Sequence, residues 1–175
     1  QGYLRMAAQG RYDEALALIK QENPFPAVCG RVCNKLCEEA CTRGVVDEPV
    51  AIDDVKAFIA QKDLDAATRY VPEPVIPSTR GRFPEKIAVI GAGPAGLSCA
   101  YYLASMGYNP KVFEKNPLPG GMMQYGIPGY KLQKDVVAAE IDGDRRTGLV
   151  VRLVDHVDRA LDRVEADHVA VADLG

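Results

Sequence analysis

The chain lacks any apolar run long enough to span a bilayer, because Gly, Pro or charged residues break its longest apolar stretches. Membrane insertion is therefore not expected. Nor does a charged segment followed by an apolar one and a small-residue cleavage site open the chain. These two absences lead us to expect a cytoplasmic protein. Charge of one sign is missing too. Lys and Arg number 21 against 24 Asp and Glu, a net charge of −3, which leaves no footprint for nucleic acid or for a polybasic membrane face. Histidine is scarce: His156 and His168 lie in or beside predicted strands, and no acid/base or nucleophile constellation forms around them. Repeats and low-complexity tracts are absent. So is a second G-x-G-x-x-G.

What remains is ordinary globular material. At 175 residues and 47% hydrophobic content the chain can bury a core, as one domain or two small ones. Its start at Gln1 and its end in the strand-like "HVAVADLG" suggest a fragment.

Residues 2–22 read as helical. A short piece ends at Gly10, and "RYDEALALIKQE" then places Tyr12, Ala15, Leu16 and Ile19 on one face. "NPFP" stops it. A cysteine-rich segment follows. "EPVAIDDVKAFIAQKDLDAA" then predicts a second long helix, with Ile52, Val55, Phe58 and Ile59 together and Asp53 and Asp54 near the positive end of its dipole. "RYVPEPVIPSTRGRFPEK" is Pro-rich and polar and reads as a linker. We expect residues 1–70 and 86–175 to be separate domains joined by 71–85.

The second half alternates strand and helix. "KIAVIG" and "PKVFEK" read as strands around the helix "AGLSCAYYLASMGY", which ends at Gly107. "PLPGGMMQYGIPGYKL" reads as a loop and "QKDVVAAEIDGDRRTG" as a helix. "LVVRLVDHV" and "DHVAVADLG" read as two further strands. Such alternation implies βαβ units and a parallel sheet.

Gly91, Gly93 and Gly96 form G-x-G-x-x-G between a predicted strand and a predicted helix, the context that gives the motif its meaning. Gly91 makes the tight turn, Gly93 admits a pyrophosphate, and Gly96 lets helix and strand approach. The helix N-terminus favours the phosphates. Glu114 ends the next strand and can accept a ribose 2′-hydroxyl. Its charge repels a 2′-phosphate, which disfavours an NADP adenosine here. These residue types do not choose between FAD and NAD. The bland alternative is a glycine turn that only packs a helix.

Cys29, Cys33, Cys37 and Cys41 recur every fourth residue. A continuous helix would separate the first from the last by about 18 Å, and Gly30 and Asn34 oppose one. The segment must fold up, or the thiolates serve different sites. Disulfides need an oxidising compartment that nothing here suggests. Zinc favours paired knuckles separated by a longer loop. Short, even gaps fit cubane iron–sulfur ligation better, without excluding the others. Cys99, among Leu97, Ala100 and Leu103, reads as a buried structural thiol. Glu38 and Glu39 read as a solvated face.

Taken together, "NPFPAVCGRVC", "CEEAC", "IAVIGAGPAGL", "VFEK" and "GGMMQYGIPGYKL" resemble the glutamate synthase small-subunit family. That family includes the N-terminal half of dihydropyrimidine dehydrogenase and the larger subunit of NADH-dependent ferredoxin:NADP oxidoreductases. The resemblance weakens after about residue 142. It implies an α+β chain: a small α-helical iron–sulfur domain, then part of a Rossmann-like FAD-binding domain. It further implies an electron-transfer oxidoreductase using FAD, [4Fe–4S] clusters and, in the full-length protein, NAD(P)H. A larger redox subunit or a ferredoxin-type acceptor would be the partner, in a hetero-oligomer.

By the same resemblance Gly91, Ala92, Gly93, Pro94, Ala95 and Gly96 would cradle the FAD diphosphate, and Glu114 with Lys115 would meet the adenosine. Gly121 and Met122 would line the diphosphate and ring, Lys131 would stand where some members carry a flavin-contacting Arg, and Val157 would lie near the adenine. Asp173 and Leu174 replace a usual small pair. Cys29, Cys33, Cys37 and Cys41 are the candidate metal ligands. In relatives the positions of Cys33 and Cys37 serve one cluster and that of Cys41 another, while the position of Cys29 need not ligate. Lys56 stands where relatives carry a ligating Gln or Glu, and a protonated Lys cannot coordinate iron. The cysteine motif that precedes this segment in the family, and the inserted NAD(P)H domain, are not in this sequence. Two readings of other classes compete: a non-catalytic docking or relay subunit, and an NAD-dependent dehydrogenase with a zinc-bound N-terminal domain.

Overall fold

The computed structural model describes residues 1–72, 83–145, 150–153 and 170–172. Most of the expected linker, together with His156, Val157, His168, Asp173 and Leu174, lies outside the described residues. The chain divides into two compact units, Gln1–Tyr70 and Val71–Gly175.

The first unit is helical. α1 (Gly2–Ala8) and α2 (Tyr12–Glu22) pair, and both lie against α5 (Ile52–Asp65). Ala15, Leu16 and Ile19 of α2 meet Ile59 of α5 in the core, each large aliphatic burial contributing roughly 1.5–3 kcal/mol. Tyr3, Met6, Tyr12, Val55 and Tyr70 close around them. Acidic Asp13 and Glu14 open α2 and Lys20 closes it, in keeping with its dipole.

One expectation needs correction here and another is extended. Phe58 does not join the core. It is half exposed and stands edge-on to Tyr12 at 5.4 Å, with the Lys62 ammonium 5.4 Å from its ring. In addition, "NPFP" does more than stop a helix, because Pro26 begins α3 (Pro26–Val32), where its missing N–H costs nothing.

α3 runs along α5. After it come a left-handed Lys35 (φ 59°), the single turn α4 (Leu36–Glu39) and a 3₁₀ turn at Thr42–Val45. No continuous helix joins the cysteines.

The second unit is built on a parallel sheet, β1 (Ile87–Ile90), β2 (Lys111–Glu114), β3 (Val150–Leu153) and β4 (Ala170–Ala172), in the order β3-β2-β1-β4. Val89 pairs with Val112 on one side and Ala172 on the other. α6 (Pro94–Ser105) packs on β1 and β2 through fully buried Leu97 and Ala100. Parallel βαβ connections of this kind place ligands at the carboxyl ends of the strands. The expected loop after β2 contains a helical turn, α7 (Met122–Tyr125), stabilised by Gly120 and Gly121 carbonyls that accept from Met123 and Gln124 at 3.0 Å. Its four residues hold no amphipathic period, which is why the sequence reads as loop. α8 (Lys134–Arg145) follows. The fold is α+β: a helical domain followed by a Rossmann-like one.

Candidate functional site

β1 ends at Ile90, and Gly91 turns the chain at φ +94° while its N–H still donates to Phe113 of β2 at 2.7 Å. A side chain there would be strained. Gly96 is fixed by space instead: an added Cβ would lie 2.0 Å from the Gly91 carbonyl oxygen. α6 can approach the turn only because nothing is there. Gly93 caps α6, whose first turn holds no acidic residue and whose cap makes no side-chain hydrogen bond. Those main-chain donors are thus available to an anion.

A second glycine loop closes onto the first. Gly120 donates to the Ala92 carbonyl at 2.7 Å, and a Cβ on Gly121 would stand 2.8 Å from the Gly93 Cα. Gly121 itself holds φ 51°, ψ −128°, a region in which only glycine is at ease. By contrast, a Cβ on Gly93 would meet nothing nearer than the Gly121 Cα at 4.0 Å. The space it would occupy is an open cradle between the two turns, of the kind a diphosphate fills.

Glu114 is 4% exposed. Its Oε2 accepts from the Ala92 N–H at 2.7 Å, and its Oε1 accepts from both the main-chain N–H and the side-chain amide of Asn116 at 2.7 Å. A carboxylate has about four acceptor positions, so one on Oε2 stays open for a ribose hydroxyl. Pro94, Ala95, Lys115, Met122 and Lys131 are exposed. Val157 lies outside the described residues.

Sequence reasoning missed Asn116. An amide two residues beyond a strand-end carboxylate is a turn signal that could have revealed it.

The cysteines occupy three settings. Cys29 sits within α3 and its thiol donates to Asn23 Oδ1 at 3.5 Å. Cys33 ends α3, and its Sγ accepts from the Lys35 N–H at 3.4 Å. Cys37 is exposed on α4. Cys41 precedes the 3₁₀ turn, where the main-chain N–H groups of Val50, Arg43 and Gly44 hold its thiol below the usual range. All are free thiols. Among the described residues no three His, Cys, Asp or Glu side chains gather as a metal-binding group. The donor chemistry nonetheless suits iron. Four thiols lie within a short segment, and one is already biased toward thiolate by oriented N–H groups.

Gly30 sets how α3 lies on α5: a Cβ there would be 2.7 Å from Ala57 Cβ. Lys56, next to Ala57, pairs with buried Asp53 at 2.6 Å. Burial pushes its pKa down, but Asp53 and the nearby Cys33 and Cys29 more than offset that, so the net direction is up. Lys56 is held charged beside two cysteines. Burial, with Cys37, Asp53 and Cys33 close by, raises the Tyr3 hydroxyl, which donates to the Ile52 carbonyl at 3.1 Å. Glu38 corrects another expectation. Rather than forming a solvated face with Glu39, its Oε1 accepts from the Asp53 N–H at 2.8 Å and caps α5. Lys35 reaches Asp54 at 2.6 Å. The Cys33–Cys37 loop is thus clipped to the N-terminus of α5 at both sides. Cys99 is half-buried rather than buried.

Comparison with known proteins matches both units of the chain. Residues 1–68 match the family described as dihydropyrimidine dehydrogenase domain II, 4Fe–4S cluster. Residues 89–138 match the NAD(P)-binding Rossmann-like domain. The chain is 39% identical to the NADP(+)-dependent formate dehydrogenase subunit beta of Moorella thermoacetica, over 97% of this chain and 26% of that protein. It is 36% identical to the glutamate synthase [NADPH] small chain of Escherichia coli, over 97% of this chain and 36% of that one. It is 38% identical to the NADPH-Fe(3+) oxidoreductase subunit beta of Geobacter sulfurreducens, over 80% and 20%. The chain thus spans between a fifth and about a third of these relatives. Its resemblance to the glutamate synthase small-subunit family holds across both units: a 4Fe–4S domain followed by a Rossmann-like nucleotide-binding domain, in the company of oxidoreductase subunits. Among the described residues no helix is long and apolar enough to cross a membrane.

Proposed function

We propose that this chain is the part of an NAD(P)H-dependent FAD/[4Fe–4S] oxidoreductase that holds the flavin diphosphate and half of a two-cluster ligand set. The observation that supports the flavin reading most is the seating of Gly121 on Gly93. Two glycine turns, back to back, leave one cradle beside the N-terminus of α6, with the buried Glu114 carboxylate at its base. When bound, FAD would accept one hydride, two electrons, from NAD(P)H and release those electrons singly toward clusters and a partner subunit or ferredoxin-type acceptor.

The residues present do the holding. Gly91 to Gly96 form the turn around the diphosphate, with Gly93, Ala95 and Gly96 offering main-chain N–H groups to it, and Glu114 orients the adenosine ribose beside Lys115. Gly121 and Met122 border the diphosphate and ring, and Lys131 stands close by in sequence. Cys33 and Cys37, clipped to α5 through Glu38 and Lys35, serve one cluster. Cys41, in its separate ring of N–H donors, serves the other. Cys29 stays with Asn23.

The purified protein tests this by colour. A flavin spectrum with a broad shoulder bleached by dithionite supports the reading. A colourless protein containing zinc would replace it with a zinc-bound dehydrogenase.

A further inference from the structure

Lys134 is the first residue of α8. A cation is electrostatically out of place at the positive end of a helix. Its ammonium is engaged elsewhere: it donates to the Met123 carbonyl at 2.8 Å and to the Ile127 carbonyl at 2.5 Å. Met123 belongs to α7 and Ile127 follows it, so Lys134 satisfies carbonyls at the negative end of a helix that is a single turn long. Such a turn has no stability of its own.

The rest of this face of α8 serves the same loop. Val137 and Ile141, three and seven residues on, lie on the Lys134 side of the helix. They are the side chains an added Cβ on Gly120 would meet, at 3.1 and 3.6 Å. The loop from Leu118 to Ile127 is therefore held at two places. At one, Gly120 donates to Ala92 and Gly121 rests on Gly93. At the other, Lys134 grips Met123 and Ile127. Between them Met122 and Tyr125 remain largely exposed.

We propose that Lys134 is a positioning residue for the bound flavin dinucleotide: by clamping the far end of the second glycine loop it keeps Gly121 seated over the cradle and Met122 at its border. The inference rests on the flavin reading above. Lys134 touches no ligand; it acts through the carbonyls of the loop.

The test compares the unmodified, FAD-loaded protein with Lys134→Met and Lys134→Arg. FAD dissociation is followed by flavin fluorescence, with the visible absorption fine structure and circular dichroism recorded alongside. Lys134→Met keeps the stem and removes the donor; we expect FAD to bind about tenfold more weakly, with the flavin bands shifted and helix content unchanged. Lys134→Arg can still donate to both carbonyls, and we expect it to return affinity and spectrum to the unmodified values. If Lys134→Met binds FAD as the unmodified protein does, the clamp is irrelevant and the inference falls. If Lys134→Arg is as weak as the Met variant, the donor role falls. Should Lys134→Met fail to fold, Lys134→Gln, too short to reach both carbonyls, takes its place with the same expected weakening, and unmodified affinity in it overturns the inference. An unmodified protein that binds no FAD refutes the flavin reading itself, a result distinct from either of these.

Discussion

The Glu114 carboxylate accepts the main-chain N–H of Ala92 at 2.7 Å, joining the end of β2 to the glycine turn after β1. The contact is buried and spans 22 residues of sequence. It lets one side chain fix the turn and, on the flavin reading proposed above, receive a ribose hydroxyl as well.

Glu114→Ala should expose both tasks. The Ala92 and Asn116 donors lose their acceptor in a buried place, at a cost of about 1–3 kcal/mol, and FAD retention should fall with it. Chemical denaturation of the apoprotein reads the first loss and flavin content after gel filtration reads the second. Asn116→Ala keeps the carboxylate and should show a smaller stability loss with most flavin retained. Unchanged flavin content in Glu114→Ala would remove Glu114 from the site.

Gly121→Ala tests the closure of the two glycine turns. Its Cβ meets the Gly93 main chain at 2.8 Å, and φ 51° with ψ −128° already disfavours a side chain. Strain of about 1–3 kcal/mol is expected, with flavin lost in proportion. Gly93→Ala is the contrasting variant. It finds open space within the protein, so the apoprotein should melt almost normally while dinucleotide binding fails. Equal stability losses in both variants would mean that the cradle is not open.

Much of this was legible in advance because it follows from pattern. The 3.6-residue period marked α2 and α5, and Gly91, Gly93 and Gly96 between a strand and a helix marked the turn. What escaped was contact made at a distance or within one turn. Phe58 has the period of a core residue, yet it lies half exposed at the margin, against Tyr12. Glu38 looks like any surface acid until α5 begins beside it. Lys134 looks like a solvated cation until the carbonyls of Met123 and Ile127 converge on it. Composition and period describe faces of elements. They do not report which loop a long polar side chain reaches.

Gly30→Ala should push α3 away from α5. The new Cβ would overlap Ala57, 2.7 Å from its Cβ and 2.9 Å from its Cα. Overpacking costs about 1–3 kcal/mol. Because Cys29 and Cys33 ride on α3, iron content after reconstitution should drop as well. Ala57→Gly in the same chain removes the opposing methyl but not the main-chain contact, and it places a glycine inside α5, so it should recover only part of both losses. A double variant no better than the single one would show that α3 is held by something else.

Cysteine replacement separates the two ligand groups. Cys33→Ser and Cys37→Ser should abolish or convert the same paramagnetic signal. Cys41→Ser should affect a different one, since its sulfur sits among the N–H groups of Val50, Arg43 and Gly44. Cys29→Ser should leave both in place. Loss of a cluster in Cys29→Ser would make it a ligand and overturn the division.

Lys56 and Asp53 provide the last test, and it turns on what a charge beside the cysteines does. Asp53 is 1% exposed, and the Lys56 ammonium at 2.6 Å is what compensates its charge. Lys56→Gln removes that compensation and leaves a buried carboxylate, which typically costs 3–5 kcal/mol, roughly the loss expected here. Asp53→Asn with Lys56→Gln removes both charges together and should restore most of the stability, as urea midpoints would show. The reduction potential of a cluster held by Cys33 separates electrostatics from folding. A cation near a cluster favours the reduced, more negative form, so Lys56→Gln alone should lower that potential, while the double variant, which removes two opposite charges, should return it toward the unmodified value. Were Lys56 only a structural partner of Asp53, Lys56→Gln would lose stability and leave the potential unchanged.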